Sequence, residues 1–224
     1  MIAPLACVIP ALDAAPTLAS VAGALRDALP GASIIVVDDG SRDDTHAVAR
    51  ACADTVMRFE RNRGKGAALR AGASAALAQG ARAVVTVDAD GQHDPAAAPR
   101  LVAALADADL AVGTRARAGG AMPLGRCLTN ALASRAVGAI VRVPVPDAQC
   151  GFRAMRRAVL ERVHAPGDRY EFETEFLIRA ARSGFTIVAV PVPTVYGAPS
   201  HFRAVRDTAR VVRAIWRHRA GAFR

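Results

Sequence analysis

Aromatic residues are scarce in this chain, at 4% of 224 positions, although 52% of it is hydrophobic. Alanine and valine supply most of the apolar surface, which reads as a helix-rich, tightly packed interior. Long apolar runs are also missing. No stretch of about 18 uncharged apolar residues exists, so no membrane-spanning helix is expected. The longest candidate, Cys127 to Val143, is broken by Arg135 and Arg142. The first apolar run, Leu5 to Ile9, lacks a basic flank and reads as a strand rather than a signal peptide. Cys7, Cys52, Cys127 and Cys150 form no C-x-x-C pair, which disfavours zinc and redox-motif readings. They read as buried, reduced thiols of a cytosolic protein. Acidic residues are outnumbered 20 to 29, and the net charge of +9 implies an anionic partner: a nucleotide, a nucleic acid or a membrane surface.

What the chain does have is alternation. Short apolar runs at Leu5–Ile9, Ser33–Val37, Val56–Phe59, Ala83–Val87 and Leu110–Val112 are separated by Ala-rich helical stretches near Thr17–Leu29, Asp44–Ala53, Gly66–Ala78 and Ala96–Ala106. This predicts an α/β fold with a mostly parallel central sheet flanked by helices. Later come a helical stretch over Leu124–Ile140, a helix near Glu173–Arg182, a strand over Thr186–Val190 and a last helix from Phe202 to Arg219. The segment Ala116–Ala121 reads as a loop. The length fits one domain. Ligands of such sheets bind beyond the carboxyl ends of the strands. Pro10, Asp38-Asp39 and Asp88-Asp90 all fall there.

Three motifs carry chemistry. In Val87-Asp88-Ala89-Asp90-Gly91-Gln92, strand alternation puts Asp88 and Asp90 on one face, which suits a hard divalent cation and hence a diphosphate. The plainer alternative is a turn with Asp94-Pro95 starting a helix. A calcium loop fails, because its twelfth position is Pro99. Asp38-Asp39-Gly40-Ser41 places two carboxylates at a strand end, where their repulsion needs a donor or a cation. Ser41 or Asp43 can cap the helix that follows. In Asn62-Arg63-Gly64-Lys65-Gly66 the glycines let N–H groups approach an anion. It is not a Walker A loop, since Phe59 and Gly66 break the pattern. No G-x-G-x-x-G follows the first strand, which disfavours a dinucleotide dehydrogenase. The order of the acidic pairs is the reverse of that in haloacid-dehalogenase-type phosphatases.

Taken in order, these pieces resemble family 2 glycosyltransferases with a GT-A (Rossmann-like) fold, and within them the dolichyl-phosphate mannosyltransferase and polyprenyl-phosphate glycosyltransferase branch. The matching segments are Ile9-Pro10-Ala11, Val37–Ser41, Asn62–Gly66, Asp88–Gln92, Gly113-Thr114-Arg115 and Asp147–Arg153. The resemblance implies a donor half over 1–115, an acceptor half over 116–200 and a basic amphipathic helix over 201–224. It implies that Pro10, Asp13 and Asp38 hold base and ribose, with Asp39 in support and Lys65 on the donor side. Asp88, Asp90 and Gln92 meet Mg²⁺ or Mn²⁺ and the diphosphate. Arg115, Arg126 and Arg153 meet phosphate groups. Asp147 is the candidate base, with a glutamate among Glu171, Glu173 and Glu175 as the alternative to their reading as surface carboxylates. The family's aromatic and acidic residues after Pro10 are replaced here by Ala11-Leu12-Asp13-Ala14. His46, His93, His164 and His218 lack ligand spacing and read as surface residues. A segment like that around His201 occurs in related enzymes, where it implies a phosphate or metal contact.

The expected activity is transfer of a sugar from a UDP- or GDP-linked donor to a lipid-linked acceptor, with inversion. The alternatives are a nucleotidyltransferase of similar fold, whose Gly-rich motif after the first strand is absent from Pro10–Thr17, and a non-catalytic membrane-associated scaffold. Nucleic-acid binding is disfavoured, because the basic residues lack interleaved aromatics. The C-terminal segment from His201 carries seven arginines and one aspartate, with Val205, Thr208, Ala209, Val212 and Trp216 on one helical face. It reads either as a cover for the core or as an interfacial helix on anionic lipid, holding a cytoplasmic domain peripherally at the inner face of the membrane. Deleting Ala204–Arg224 is expected to abolish co-sedimentation with anionic liposomes and to spare nucleotide binding. An intact protein that ignores such liposomes even at low salt makes the helix a structural cover.

Overall fold

Strands covered on both faces must be apolar along their length. β1 (Leu5–Ala11) and β2 (Ser33–Asp38) satisfy this: Cys7, Val8, Ile9 and Ile34 to Val37 are fully buried. A computed structural model describes residues 2–115, 134–135, 137–138, 147–169, 171–193 and 213 of the chain. Five more strands complete its sheet: β3 (Thr55–Arg58), β4 (Ala83–Thr86), β5 (Leu110–Arg115), β6 (Arg153–Arg156) and β7 (Ile187–Val192). The order is β3-β2-β1-β4-β6-β5-β7. β6 runs antiparallel to β4 and β5, and all other neighbours are parallel. The mostly parallel sheet is therefore as expected.

β6 and the short helix after it were not legible as elements. Arg153-Ala154-Met155-Arg156 has no apolar run, because an arginine stands at each end. Its signal comes from pairing: Thr86 lies opposite Arg153, and Val112 faces the same residue from the other side. Cys7 and Cys150 are buried and Cys52 partly so, and burial pushes the Cys7 thiol up to about 12. The loop over Ala116–Ala121, Arg126, Cys127, His201, His218 and, but for residue 213, the helix expected over Phe202–Arg219 lie outside the described residues, as does most of the stretch Leu124–Ile140.

The helices are α1 (Ala15–Ala28), α2 (Thr45–Cys52), α3 (Lys65–Ala78), α4 (Ala98–Ala104), α5 (Arg157–Arg162) and α6 (Glu171–Arg182). α1 buries Leu18, Val21, Ala22 and Leu25, the spacing of a single apolar stripe. Asp94 accepts from the Ala96 N–H at 2.9 Å and Pro95 opens a short 3₁₀ turn, as the Asp-Pro pair implied. α3 lies against β1 and β2, and Gly72 sets how closely. A Cβ there meets Val8 Cγ1 at 2.3 Å and Val37 Cγ2 at 3.1 Å. This close approach fixes α3, and with it Lys65 at its first turn, over the carboxyl ends of the strands.

Gly72→Ala is expected to lower the unfolding free energy by about 1–3 kcal/mol through overpacking, despite alanine's better helix propensity. A lower urea midpoint with unchanged slope is the expected result. An unchanged or higher midpoint shows that α3 can ride further from the sheet at no cost.

Candidate active site

Two loops meet at the ends of β1 and β2. Asp13 adopts φ 47, and hydrogen bonds to the opposite loop hold it there. Its N–H donates to Ser41 Oγ at 3.0 Å, and its Oδ1 accepts from the Arg42 N–H at 2.8 Å. The Ala14 N–H donates to Thr45 Oγ1 at 2.7 Å, and the Ala15 N–H to Asp43 Oδ2 at 3.1 Å. Ser41 thus serves the neighbouring loop, while Asp43 accepts from the Thr45 N–H at the start of α2. Pro10 is buried one residue before the end of β1.

Asp38 and Asp39 divide the work at the end of β2. Asp38 is fully buried. Its Oδ1 accepts from the Ser41 N–H at 2.8 Å, and its Oδ2 faces Arg58 Nε at 3.3 Å and His46 Nδ1 at 3.7 Å. Asp39 accepts from the N–H groups of Arg63 at 2.7 Å and Gly64 at 2.9 Å. Burial pushes its carboxyl up, and those two N–H groups pull against the shift. The repulsion foreseen for this pair is therefore offset by protein donors. The anion cradled by Arg63 and Gly64 is Asp39 itself, which pins the loop leading into α3.

Asp88 and Asp90 lie past the end of β4, because the strand stops at Thr86 and residues 89–90 form a turn. Strand alternation therefore does not set their orientation; the turn does. Asp90 Oδ1 accepts from the Gln92 N–H at 2.9 Å, and Thr17 Oγ1 donates to the Ala89 carbonyl at 2.6 Å. Asp88 Oδ1 lies 2.6 Å from Lys65 Nζ, and the same ammonium lies 2.5 Å from Glu173 Oε1. Burial draws the ammonium down, but Asp88 and then Glu173 overcome this and push it above the ordinary lysine range. Burial pushes Glu173 up, Lys65 opposes the shift, and Asp88 adds to it.

Gly151 is the seat of this ion cluster. A Cβ there lies 2.7 Å from both Asp88 Oδ1 and Lys65 Nζ. The Gly151 carbonyl accepts from Thr86 Oγ1 at 2.7 Å, which joins the seat to β4. Arg153 is brought to the same place, but its guanidinium is committed to main-chain carbonyls: Cys150 at 2.8 Å, Glu173 at 3.0 Å and Ala148 at 3.0 Å. It ties the Asp147–Phe152 segment to α6. Burial lowers its pKa, while Glu173, Asp147 and Asp88 support its charge. Asp147 is buried, and its Oδ1 accepts from the Gln149 N–H at 3.3 Å. Behind the cluster lies a cavity of about 330 Å³ lined by Leu69, Leu77, Met155, Phe172 and Phe176, with Thr86, Gly151 and Glu173 at its wall. This apolar backing strengthens the ionic contacts.

Glu173 and Glu175 are both 2% exposed, so the reading of these glutamates as surface carboxylates is corrected. Glu173 shares a helical face with Phe176, Leu177 and Ala180, all buried. That phase was the available signal. Glu175 accepts from the Gly167 N–H at 3.0 Å. His93 is buried too, against Phe152 at 5.6 Å between centroids and 3.8 Å from Cys150 Sγ. Its surface reading is corrected as well, and His46 is half-buried beside Asp38. Nothing is described of the Arg115 side chain, and Arg126 lies outside the described residues.

For a divalent cation, Asp88, Asp90 and Gln92 offer hard oxygens, and Asp88 is already arranged around a positive charge. Among the described residues no group of three or more His, Cys, Asp or Glu side chains is placed to hold a metal ion. Two carboxylates and one amide oxygen, as a donor set, suit a cation that completes its shell with substrate and water oxygens.

The Glycosyl transferase family 2 model matches residues 6–163. Polyprenol monophosphomannose synthase of Mycolicibacterium smegmatis is 36% identical over 198 residues, covering 83% of this chain and 75% of that protein. Undecaprenyl-phosphate mannosyltransferase of Micrococcus luteus is 35% identical over 201 residues, covering 84% and 82%. Among solved structures, glucosyl-3-phosphoglycerate synthase of Mycobacterium tuberculosis in complex with Mn²⁺, UDP and glucosyl-3-phosphoglycerate superposes with a TM-score of 0.77 at 25% identity, covering 96% of this chain and 79% of that one. The fold is GT-A.

Gly151→Ala is expected to destabilise the domain by about 1–3 kcal/mol by forcing Asp88 and Lys65 apart. The penalty should shrink in an Asp88→Ala background, since the obstructing carboxylate is gone. Urea unfolding of the four proteins tests this, and strictly additive effects rule out the contact as the cause.

Proposed function

This chain belongs to the Glycosyl transferase family 2 and is a glycosyltransferase of the polyprenyl-phosphate branch, and on that premise we propose that it moves a sugar from a nucleotide diphosphate sugar to a lipid-linked acceptor, a polyprenyl phosphate or a glycolipid. The observation that carries the proposal is the Asp88–Asp90 turn beyond β4, with a lysine ammonium held 2.6 Å from Asp88. The named acceptors of the two relatives support the lipid. The Mn²⁺ and UDP in the solved neighbour support a divalent cation and a UDP-linked donor, with a GDP-linked donor as the second candidate.

Asp88, Asp90 and Gln92 would hold Mg²⁺ or Mn²⁺, which when bound neutralises the charge that develops on the leaving diphosphate. Pro10, Asp13 and Asp38 border the base and ribose, and Asp39 supports that pocket by fixing the Arg63–Gly64 loop. Lys65, Arg115 and Arg126 face phosphate groups, and Arg153 orders the segment beneath them. The acceptor oxygen attacks the anomeric carbon opposite the bond to the diphosphate, which breaks with inversion. A phosphate acceptor is already anionic and needs no base. A hydroxyl acceptor gives its proton to Asp147.

In this reading the whole chain is one domain, with a donor half over 1–115, an acceptor half over 116–200 and a basic helix over 201–224. Among the described residues no helix is long and apolar enough to cross a membrane. The helix over 201–224 would hold the domain peripherally at the cytoplasmic face, where a lipid-linked acceptor presents its headgroup.

Asp90→Asn should weaken Mn²⁺-dependent UDP or GDP binding by roughly tenfold or more, the scale of one charge-assisted contact, with the fold intact. Thermal shift with each nucleotide, with Mn²⁺ and with EDTA, reads the effect. Equal affinity of the two proteins under both conditions overturns the donor-site assignment.

A further inference from the structure

Lys65 is the only lysine in a chain with 28 arginines. Every other cationic position uses guanidinium, so something at position 65 requires a compact ammonium on a flexible stem. The surroundings supply the reason. Nζ sits between Asp88 and Glu173 and against Gly151, where even a methyl group would lie 2.7 Å away. A planar five-donor guanidinium is broader than the compact ammonium held there.

The two carboxylates are not equivalent. Glu173 has a side chain 2% exposed, while that of Asp88 is 23% exposed. Glu173 holds the ammonium from behind, in the first turn of α6, where the helix dipole favours a negative charge. Its own main chain is fixed by the Arg153 guanidinium. Asp88 holds the ammonium from the solvent side, and Asp88 is also the carboxylate assigned above to the divalent cation.

We propose that Lys65 is a resident counter-cation of the donor site, anchored by Glu173 as a positioning residue, that yields Asp88 to the incoming divalent cation and then turns its charge to the donor diphosphate. The inference rests on the donor-site reading above. Before a donor arrives, Lys65 keeps Asp88 and Glu173, two partly dry carboxylates, from repelling one another. A divalent cation carries twice its charge and prefers carboxylate oxygen, so it takes Asp88. Glu173 remains, and the ammonium stays in the site as a fixed positive charge beside the leaving group. No bond is made or broken in the exchange.

The single lysine makes the exchange directly observable. Full-length protein grown with ¹³C-lysine has one lysine side-chain resonance set. Mg²⁺ alone is expected to shift it, with a midpoint equal to that of metal binding. A set that stays fixed at saturating Mg²⁺ overturns the exchange. Free Mn²⁺, followed by electron paramagnetic resonance without nucleotide, gives the second readout. Lys65→Met removes the competitor and should raise Mn²⁺ affinity on the order of tenfold, the scale of one charged contact, while UDP affinity in Mn²⁺ falls. A merely structural lysine predicts no gain in metal affinity, and an unchanged or weaker Mn²⁺ affinity in this variant refutes the proposal. Lys65→Gln serves as the second uncharged variant should the methionine form fail to fold. Lys65→Arg keeps the charge and should still lose UDP affinity.

Glu173→Gln should weaken UDP binding in wild type and have no further effect in the Lys65→Met background, because both act through one ammonium. Additive losses remove Glu173 from the mechanism. Wild-type protein that binds neither Mn²⁺ nor UDP defeats the donor-site reading itself. Normal Mn²⁺ and UDP binding with a motionless lysine defeats only the exchange.

Discussion

A lysine shared by two carboxylates in a nearly dry site is the interaction on which the rest of this structure depends. Lys65 reaches Asp88 and Glu173 within hydrogen-bond distance. Burial of three charges is costly, and removal of one member of such a group leaves an uncompensated charge worth several kcal/mol, about 3–5 by the usual measure. The opposing shifts express this balance. Burial draws Lys65 down until Asp88 and Glu173 lift it, and burial raises Glu173 while Lys65 restrains it. Each group is tolerated there because the others are present.

Three elements far apart in sequence must arrive together for this to occur. α3 brings Lys65, held to the sheet by the close approach at Gly72. The turn beyond β4 brings Asp88. α6 brings Glu173, fixed by the Arg153 guanidinium. The antiparallel strand β6 joins them, because its register sets Thr86 opposite Arg153 and brings the Gly151 carbonyl to Thr86 Oγ1. The one strand that departs from the parallel pattern is thus the one that completes the site. In a GT-A frame the parallel half presents the strand ends, and this inserted strand gives them a floor.

Much of the donor side was legible because its motifs are local. The Asp38-Asp39 and Asp88-Asp90 pairs stand out against apolar runs, and the Asn62–Gly66 loop stands out by its glycines. What each carboxylate does was less legible. Asp39 captures the N–H groups of Arg63 and Gly64, contacts 24 and 25 residues away in sequence. Asp38 turns inward to Arg58 and His46. Glu173 looked like a surface acid at a helix start, since a charged residue is read by type before it is read by phase. His93 lacked any spacing partner because its neighbours, Cys150 and Phe152, lie nearly sixty residues on.

The sequence by itself determined the family, the alternation of strand and helix, and the carboxylates at the strand ends. Those are carried by residue type and short-range spacing, which persist in a linear chain. Only the tertiary structure decided which charges meet. Burial and pairing depend on strand register and on helix-to-sheet distance, set by contacts such as Thr86 with Gly151 and Gly72 with Val8. A lysine at position 65, an aspartate at 88 and a glutamate at 173 are ordinary residues along the chain. They become one site because the sheet brings their elements within a few ångströms and buries Glu173 behind the ammonium.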